Sequence, residues 1–427
     1  MSTVFLVQNE PSPWVPVVAD RVRARGHRPV LLSAPLAAGQ RLAAAKAVDE
    51  VVEMADVADP EALAATAREL AGDARILTFS DNAMVATAQA AELLGVARVP
   101  ASVLAGIRNK FAARQAMAAA GLPHPRFALL HGAGDAARVA EAVGLPAIVK
   151  PVNGVASHLV SVARTAGELA AAYERAVAAL PGTMAGLYDR RIGDLDPARS
   201  LLVEGQLQGS EYAVDIVVRG GVAETLALLG KPGMDETFLE RLMVSPPFGL
   251  PPGLDASLRR AATDAALALG LDDSVAHVEL IDDAELGPTV VEVNAGRPGG
   301  GLVFVIDELT TGVDPFAEAV AAALGEPRPP RTPPKLTIPI AHCIVFGTGR
   351  GRLKSIVGLD ELTRAPEVLQ VVPTAEPGQV LSDDHEVLVV NVLLAGFGDE
   401  EELLAAHQEV QESIRLETEP AEGSTTR

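Results

Sequence analysis

The sequence predicts a protein of mixed α/β and α+β type, and three observations carry the prediction. Up to about Val99, short β-branched runs alternate with alanine-rich segments of helical period, which implies a parallel sheet with right-handed crossovers. From Val275 to Gly301 two apolar runs flank a turn, Asp282 to Pro288, and read as a hairpin of buried strands. Beyond a stiff proline-rich run, Gly325 to Lys335, strand patterns and one helix indicate a small α+β unit.

In chain order, the first unit takes its strands from VFLV, PVLLS, EVVEM and RILTF, and its helices start near Val15, Arg41, Pro60 and Asn82. Ligands of such sheets gather at the carboxyl ends of strands, here around Asn9, Ser33 and Ser80-Asp81-Asn82. No Gly-x-Gly-x-x-Gly follows the first strand, so a dinucleotide site is not supported. Ser102 to Gly121 reads as one helix, stopped by a glycine C-cap and Pro123. Asp135 to Val143 is a helix, Leu145 to Pro151 a strand closing on Lys150, LVSVA a strand, and Thr165 to Leu180 a helix. Pro181 to Arg199 is loop-like and charged. Leu201 to Glu204 and Tyr212 to Val218 are strands; Gly220-Gly221 signals a hairpin whose second strand runs to Leu229. A helix from Asp255 to Leu269 leads into the Val275 hairpin. The last unit takes strands at Thr337 to Phe346, Glu367 to Val372 and Glu386 to Leu394 and a helix from Glu400 to Ile414, with a disordered tail expected after Thr418.

Composition narrows the partners. With 427 residues there is chain for about three domains, and an apolar fraction of 48% argues against disorder of the bulk. The formal charge of −21 argues against general binding to nucleic acid or to anionic membrane. The amino terminus lacks the basic region of a signal peptide and no apolar run reaches the length of a membrane span, so a cytoplasmic protein without a membrane partner is expected. The single cysteine, Cys343, forbids an internal disulfide and reads as a small buried apolar residue. Lysines are few (Lys46, Lys110, Lys150, Lys231, Lys335 and Lys354), so each is conspicuous in a chain that fills its cationic positions mainly with arginine.

The hairpin carries the chemistry. Successive strand residues point to opposite faces, so His277, Glu279 and Ile281 share one face of its first strand and Val290, Glu292 and Asn294 one face of its second. Folding at the midpoint sets Glu279 nearly opposite Glu292. Like charges facing each other across a sheet are destabilising, which makes sense if a cation sits between them. Carboxylates and an amide oxygen are hard ligands that suit Mg²⁺, usually held by one or two carboxylates together with substrate phosphates. Arg297 follows at once, where a fixed cation steadies developing negative charge. His277 reads as a packed strand histidine rather than a ligand.

The order of these features resembles the ATP-grasp superfamily, and within it the branch shared by biotin carboxylase and bacterial L-amino acid (dipeptide) ligases. The resemblance covers nearly the whole chain and implies an ATP-grasp fold: an N-terminal parallel α/β pre-grasp domain over 1–105, an ATP-grasp domain over 106–328 with a lid of about 123–203, and a C-terminal α+β domain over 329–427 like that of biotin carboxylase. Asn109-Lys110-Phe111 resembles the family's first nucleotide lysine, and Leu145 to Pro151 the strand whose terminal Lys150 reaches the α- and β-phosphates. Asn153 to Val160, with Ser157 and His158, stands in the place of the flap over the phosphates, although only Gly154 is glycine and Leu159 stands where a glycine is common. VEGQLQGSEYAVD, Val203 to Asp215, resembles the hinge strand, with Glu204 and Leu207 bordering the adenine and Glu211 accepting from the ribose. Lys231 resembles a second cation near the γ-phosphate. Glu279, Glu292 and Asn294 match the Mg²⁺ ligands and Arg297 the arginine beside the reacting carboxylate; two residues, Ala295 and Gly296, separate Asn294 from Arg297 where many members have one.

This resemblance implies ATP and one or two Mg²⁺ ions, with Mn²⁺ as a substitute, and a carboxylate–amine ligase that joins small substrates, amino acids above all, through an acyl phosphate, releasing ADP and phosphate. Lysine suits the phosphates as a flexible point charge with three donors. The partners it implies are a small carboxylate and a small amine, and the assembly a homodimer. Two alternatives stand beside it: a carboxylase or purine-pathway ligase working through carboxyphosphate, and a nucleotide-binding regulatory protein with a dead site.

Overall fold

A computed structural model describes the chain apart from residues 183–186, 235–236, 348–350, 382–386 and 421–427. The N-terminal layer alternates β1 (Thr3–Gln8), α1 (Trp14–Ala24), β2 (Arg28–Ser33), α2 (Ala38–Ala47), β3 (Glu50–Glu53), α3 (Pro60–Leu70), β4 (Ala74–Thr78) and α4 (Met84–Leu94). Its strands are parallel in the order β3-β2-β1-β4, each returning through a helix as parallel neighbours must. Local chemistry starts the helices: Asp59 accepts from the N–H groups of Glu61 and Ala62 with Pro60 in the first turn of α3.

The stretch read as a single helix is two. Helices α5 (Ala101–Arg108) and α6 (Lys110–Ala119) meet at Asn109, which leaves the helical region (φ −87°, ψ 97°) and accepts from the N–H groups of Phe111 and Ala112, each at 3.2 Å. Such a cap contributes about 1 kcal/mol, so an asparagine inside a helical pattern can begin a new helix. Lys110 thereby becomes the first residue of α6, its own N–H bound to the Val152 carbonyl at 2.8 Å.

Next come β5 (Phe127–Leu130), α7 (Ala136–Val143), β6 (Ala147–Pro151), β7 (Ser161–Ala163), α8 (Ala166–Ala179) and β8 (Leu201–Gly205). Their strands form an antiparallel sheet ordered β5-β8-β6-β7, with a core of its own around Leu130, Val139, Val149, Leu169 and Leu201.

The central part contains β9 (Gly209–Arg219), β10 (Val222–Gly230), β11 (Leu242–Ser245), α9 (Leu254–Ala268), β12 (Ser274–Asp283), β13 (Gly287–Ala295), α10 (Val303–Thr311) and α11 (Pro315–Leu324). It is followed by β14 (Ile340–Gly347), β15 (Gly351–Val357), α12 (Leu359–Arg364), β16 (Val368–Pro373), β17 (Val380–Leu381), β18 (Val387–Ala395), α13 (Glu400–Ser413) and β19 (Arg415–Glu419). Three of the strands after the proline-rich run, β14, β16 and β18, extend the central sheet. The order is β13-β12-β9-β10-β11-β14-β18-β16, and β11 sets Leu242 opposite the buried Cys343 of β14. A small sheet, β17-β15-β19, completes this end.

The two faces of the large sheet serve different purposes. Val214, Ile216, Val278, Leu280, Val290 and Val293 pack with Leu104, Ile107, Leu258 and Ala262 of α5 and α9, and full burial of each branched or larger side chain is worth about 1.5–3 kcal/mol. On the other face, Leu229, Met243 and Ile344 join Phe304 and Phe316 of α10 and α11 and Val18 and Val22 of α1 in one core. That second face also bears the polar site.

Candidate active site

Strands β12 and β13 pair so that Glu279 lies opposite Glu292 and His277 opposite Asn294. The register then slips, since Leu280 pairs with Val290 and Val291 bulges out. Arg114, almost wholly buried on α6, holds the bulge by donating to the Val290 carbonyl at 2.6 Å and the Val291 carbonyl at 3.0 Å. Asn294 donates its amide N–H to Glu279 at 2.9 Å. On the next strand β9, Asp215 lies opposite His277 and Glu211 opposite Ile281. Glu211, Asp215, His277, Glu279, Glu292 and Asn294 therefore face one way while the valines and leucines between them anchor the other face.

Two lysines meet this acidic face, and a third, Lys150, is held by Glu204 of the neighbouring sheet. Lys110 pairs with Glu292. Lys231, its side chain fully buried, pairs with Glu211 at 2.9 Å, with Glu279 at 3.1 Å and with Glu240. Lys150 pairs with Glu204 at 2.5 Å, and Arg114 holds the other oxygen of Glu204 at 2.6 Å. Burial lowers the Lys110 ammonium, outweighing Glu292, with Lys150 and Arg108 pushing the same way; Lys150 thus stands close to the hairpin through Lys110. Burial alone would lower Lys231 as well, but Glu240, Glu279 and Glu211 together raise it well above the usual lysine value. Burial lifts the Glu211 carboxyl even against Lys231. For Glu279 the balance reverses: burial and Glu240 raise it, but Lys231 and His277 together outweigh them, leaving it below the ordinary carboxylate value.

Arg297 leaves the hairpin through Gly296, whose left-handed φ of 83° and N–H bond to the Val275 carbonyl turn the chain sharply. The intervening pair Ala295-Gly296 thus aims Arg297 at Asp81, just beyond the carboxyl end of β4, with Nε at 3.2 Å from both carboxylate oxygens and Nη2 at 3.1 Å. Asp81 also receives Arg108 at 3.4 Å. In the segment 153–160, Ala156, Ser157 and Leu159 take left-handed φ values of 48°, 54° and 58°. The chain thus makes without glycine the bends that glycine makes cheaply. Ser157 donates its hydroxyl to the Phe238 carbonyl at 2.6 Å, and His158 stacks on Tyr188 with centroids 5.8 Å apart. Leu207 is half-buried in the turn between β8 and β9.

Several site residues escaped the sequence. Arg114 lies one turn from Lys110, and Asp215 shares the two-residue strand period with Glu211, so both were open to a face argument. Asp81 was flagged only as part of a strand end. Glu240 stands between β10 and β11 in a segment without periodicity and gave no signal. Asp215 accepts from His277 Nδ1 at 2.5 Å and from the Gly299 N–H at 2.9 Å. Behind it the carboxyl of Asp307 is raised well above its usual value by burial and by Asp215. No helix among the described residues is long and apolar enough to cross a membrane.

Residues 143–304 match the family model of the ATP-grasp domain. The chain is 29% identical over 223 residues to a D-alanine--D-alanine ligase of Cupriavidus necator, covering 50% of this chain and 62% of that protein. It is 29% identical over 284 residues to an uncharacterised protein of Sinorhizobium fredii, covering 63% of this chain and 52% of that protein. These matches thus span less than two thirds of either relative's length. Among solved structures, an L-amino acid ligase from Bacillus licheniformis superposes with a TM-score of 0.77 at 21% identity, over 98% of this chain and 99% of that one. The biotin carboxylase domain of the Hydrogenobacter thermophilus 2-oxoglutarate carboxylase, a dimer in complex with MgADP, ADP and bicarbonate, superposes with a TM-score of 0.74 at 16% identity, over 98% and 91%. At these identities the structural likeness speaks for the fold, and with the family match it establishes that the chain carries an ATP-grasp domain within an ATP-grasp fold.

Proposed function

We propose that this chain is an ATP-dependent, ADP-forming carboxylate–amine ligase that joins small substrates, amino acids above all. One observation carries the reading: two carboxylates, Glu279 and Glu292, face each other directly across β12 and β13, each paired with a lysine. Two opposed acids with an amide 2.9 Å from one of them form a hard oxygen donor set that fits Mg²⁺. Glu279, Glu292 and Asn294 would hold the ion, which when bound neutralises charge on the terminal phosphates of ATP. Lys110 would exchange Glu292 for phosphate oxygens, Lys150 would reach the phosphates while still held by Glu204, and Lys231 would steady the γ-phosphate. Glu204, committed to Lys150 and Arg114, would fix the lysine's reach, while Leu207 would border the base and Glu211 the ribose.

In this reading a substrate carboxylate oxygen attacks the γ-phosphorus and ADP departs. The amine nitrogen then attacks the acyl carbon, phosphate leaves with the electron pair of the broken C–O bond, and the nitrogen sheds a proton. The protein contributes position and charge rather than covalent chemistry. Arg297, aimed by Asp81, would lie by the reacting carboxylate and its developing oxyanion. The segment with Ser157 and His158, and the β5–β8 sheet behind it, would exclude water from the acyl phosphate. A homodimer belongs to the same reading and is tested by sedimentation.

The test is phosphate and ADP release with ATP, Mg²⁺ and the twenty amino acids singly and in pairs, with products identified by mass. The expected result is pair-dependent phosphate release with an amide product. Nucleotide binding without turnover on any pair would count against the ligase. Glu292→Gln is expected to lower turnover at least a thousandfold with an unchanged circular dichroism spectrum.

A further inference from the structure

We propose that Glu240, His277 and Glu279 form a second cation site, one containing nitrogen, that takes a borderline divalent ion such as Mn²⁺, Co²⁺ or Zn²⁺ beside the all-oxygen set of Glu279, Glu292 and Asn294. The inference rests on geometry and, apart from sharing Glu279, does not require the ligase reading.

One ligand atom from each of the three residues lies within 4.8 Å of the others, close enough for a single ion to touch all three. His277 and Glu279 are neighbours on one face of β12, and Glu240 enters from the segment before β11. The imidazole is prepared for this task. Its Nδ1–H donates to Asp215 at 2.5 Å, and Asp215 is itself fixed by the Gly299 N–H at 2.9 Å, so the ring is locked and Nε2 is left as its ligand atom. A carboxylate behind a histidine is how metal-binding imidazoles are oriented. Gly299 leaves no slack, because a Cβ there would stand 2.8 Å from His277 Nδ1.

Charge points the same way. Glu211, Glu240 and Glu279 surround the one ammonium of Lys231, an excess of two negative charges that a single divalent ion matches. Lys231 contacts Glu240 through Oε1 and Glu279 through Oε2; the other oxygen of Glu279 accepts from the Asn294 amide at 2.9 Å, a hydrogen bond that a bound ion would share or displace. A purely carboxylate set would favour Mg²⁺; an imidazole shifts preference toward later divalent ions.

The experiment uses Mn²⁺ alone, titrated into the full chain without nucleotide, with affinity measured by the free-ion EPR signal and the ligand set by pulsed EPR. Nitrogen-14 modulation is expected in the wild type. It should vanish in His277→Ala with at least tenfold weaker Mn²⁺ binding, and persist in Glu292→Gln. Absence of nitrogen modulation in the wild type, or its persistence in His277→Ala, would overturn the site. Should His277→Ala fail to fold, Glu240→Gln must weaken Mn²⁺ at least tenfold, and unchanged affinity there would overturn the site equally. Phosphate release is read separately, so failure of the Mn²⁺ site and failure of the ligase reading are distinguishable.

Discussion

Asp81 holds two guanidinium groups at once, Arg297 at 3.1 Å and Arg108 at 3.4 Å. Burial raises its carboxyl, but the two arginines outweigh burial and hold it down at about 2. Asp81→Asn would keep the shape and lose the charge that aims Arg297. The expected result is a kcat lowered about 10- to 100-fold, as misplacement of a positioned group brings, with the KM for ATP changed much less. An equal loss in both would show that Asp81 serves nucleotide binding instead. Glu204 is the parallel case in the other half of the site. Burial raises it, and Arg114 and Lys150 bring it to about 2 from an ordinary 4.5. Its folded value is depressed, so its stabilisation is fully present above pH 4.5 and is lost as pH falls to about 2, on the order of 3 kcal/mol in all. Acid unfolding followed by circular dichroism should therefore steepen in that window, and Glu204→Gln should flatten it. Much of this level was open to the alternation argument, because Glu279, Glu292, Asn294 and His277 lie on strands where period two fixes the face. Asp81 is legible only as a strand-end residue and Arg114 only as a residue one turn from Lys110, while Glu240 carries no local mark, since each meets the site through tertiary folding.

Elements were read best where they repeat a pattern over several turns or alternate cleanly. The N-terminal parallel sheet and the β12–β13 hairpin are of that kind. The helix read across Ser102 to Gly121 was broken by a single capping asparagine, a local hydrogen-bond choice that periodicity does not register. Short strands such as β11 and β17, and the charged β19, carry too few apolar positions to stand out; they exist because a neighbour supplies their hydrogen bonds. The segment following the hairpin shows how closely elements meet. Gly301 has a left-handed φ of 61°, and a Cβ there would lie 2.2 Å from His342 Cε1 and 2.5 Å from Asn391 Oδ1. Its carbonyl accepts from Trp14 Nε1 at 3.2 Å. His342 is buried, and burial pushes its imidazole down to about 4, so it is a neutral packing partner at ordinary pH. Gly301→Ala combines overpacking with backbone strain and is expected to cost about 3 kcal/mol, measured as a lowered denaturant midpoint. An unchanged midpoint would mean that the β14–β18 ladder yields more readily than close packing allows.

At the scale of the whole molecule, the large sheet does what the proline-rich run suggests a linker would prevent. Strands from either side of residues 325–335 hydrogen-bond directly, β11 to β14, in one continuous eight-stranded ladder. The run is not a slack tether either, since the Thr332, Lys335 and Leu336 N–H groups bond back to the Gly312 and Leu309 carbonyls at 2.8–3.1 Å. Composition could separate these stretches but could not say that their strands would pair, because pairing between distant strands leaves no local mark.

Amputating the chain at Lys335 would strip β11 of its outer neighbour and present Leu242, Met243 and Val244 on a raw border with open amide and carbonyl groups, an invitation to stick to any strand that drifts by. Residues 1–335 expressed alone should therefore run as large soluble aggregates or as insoluble material on size exclusion, while the intact chain runs as a discrete species. The carboxyl-terminal segment would then act as a bandage as much as a module, sealing the torn rim of the ladder that bears the acids.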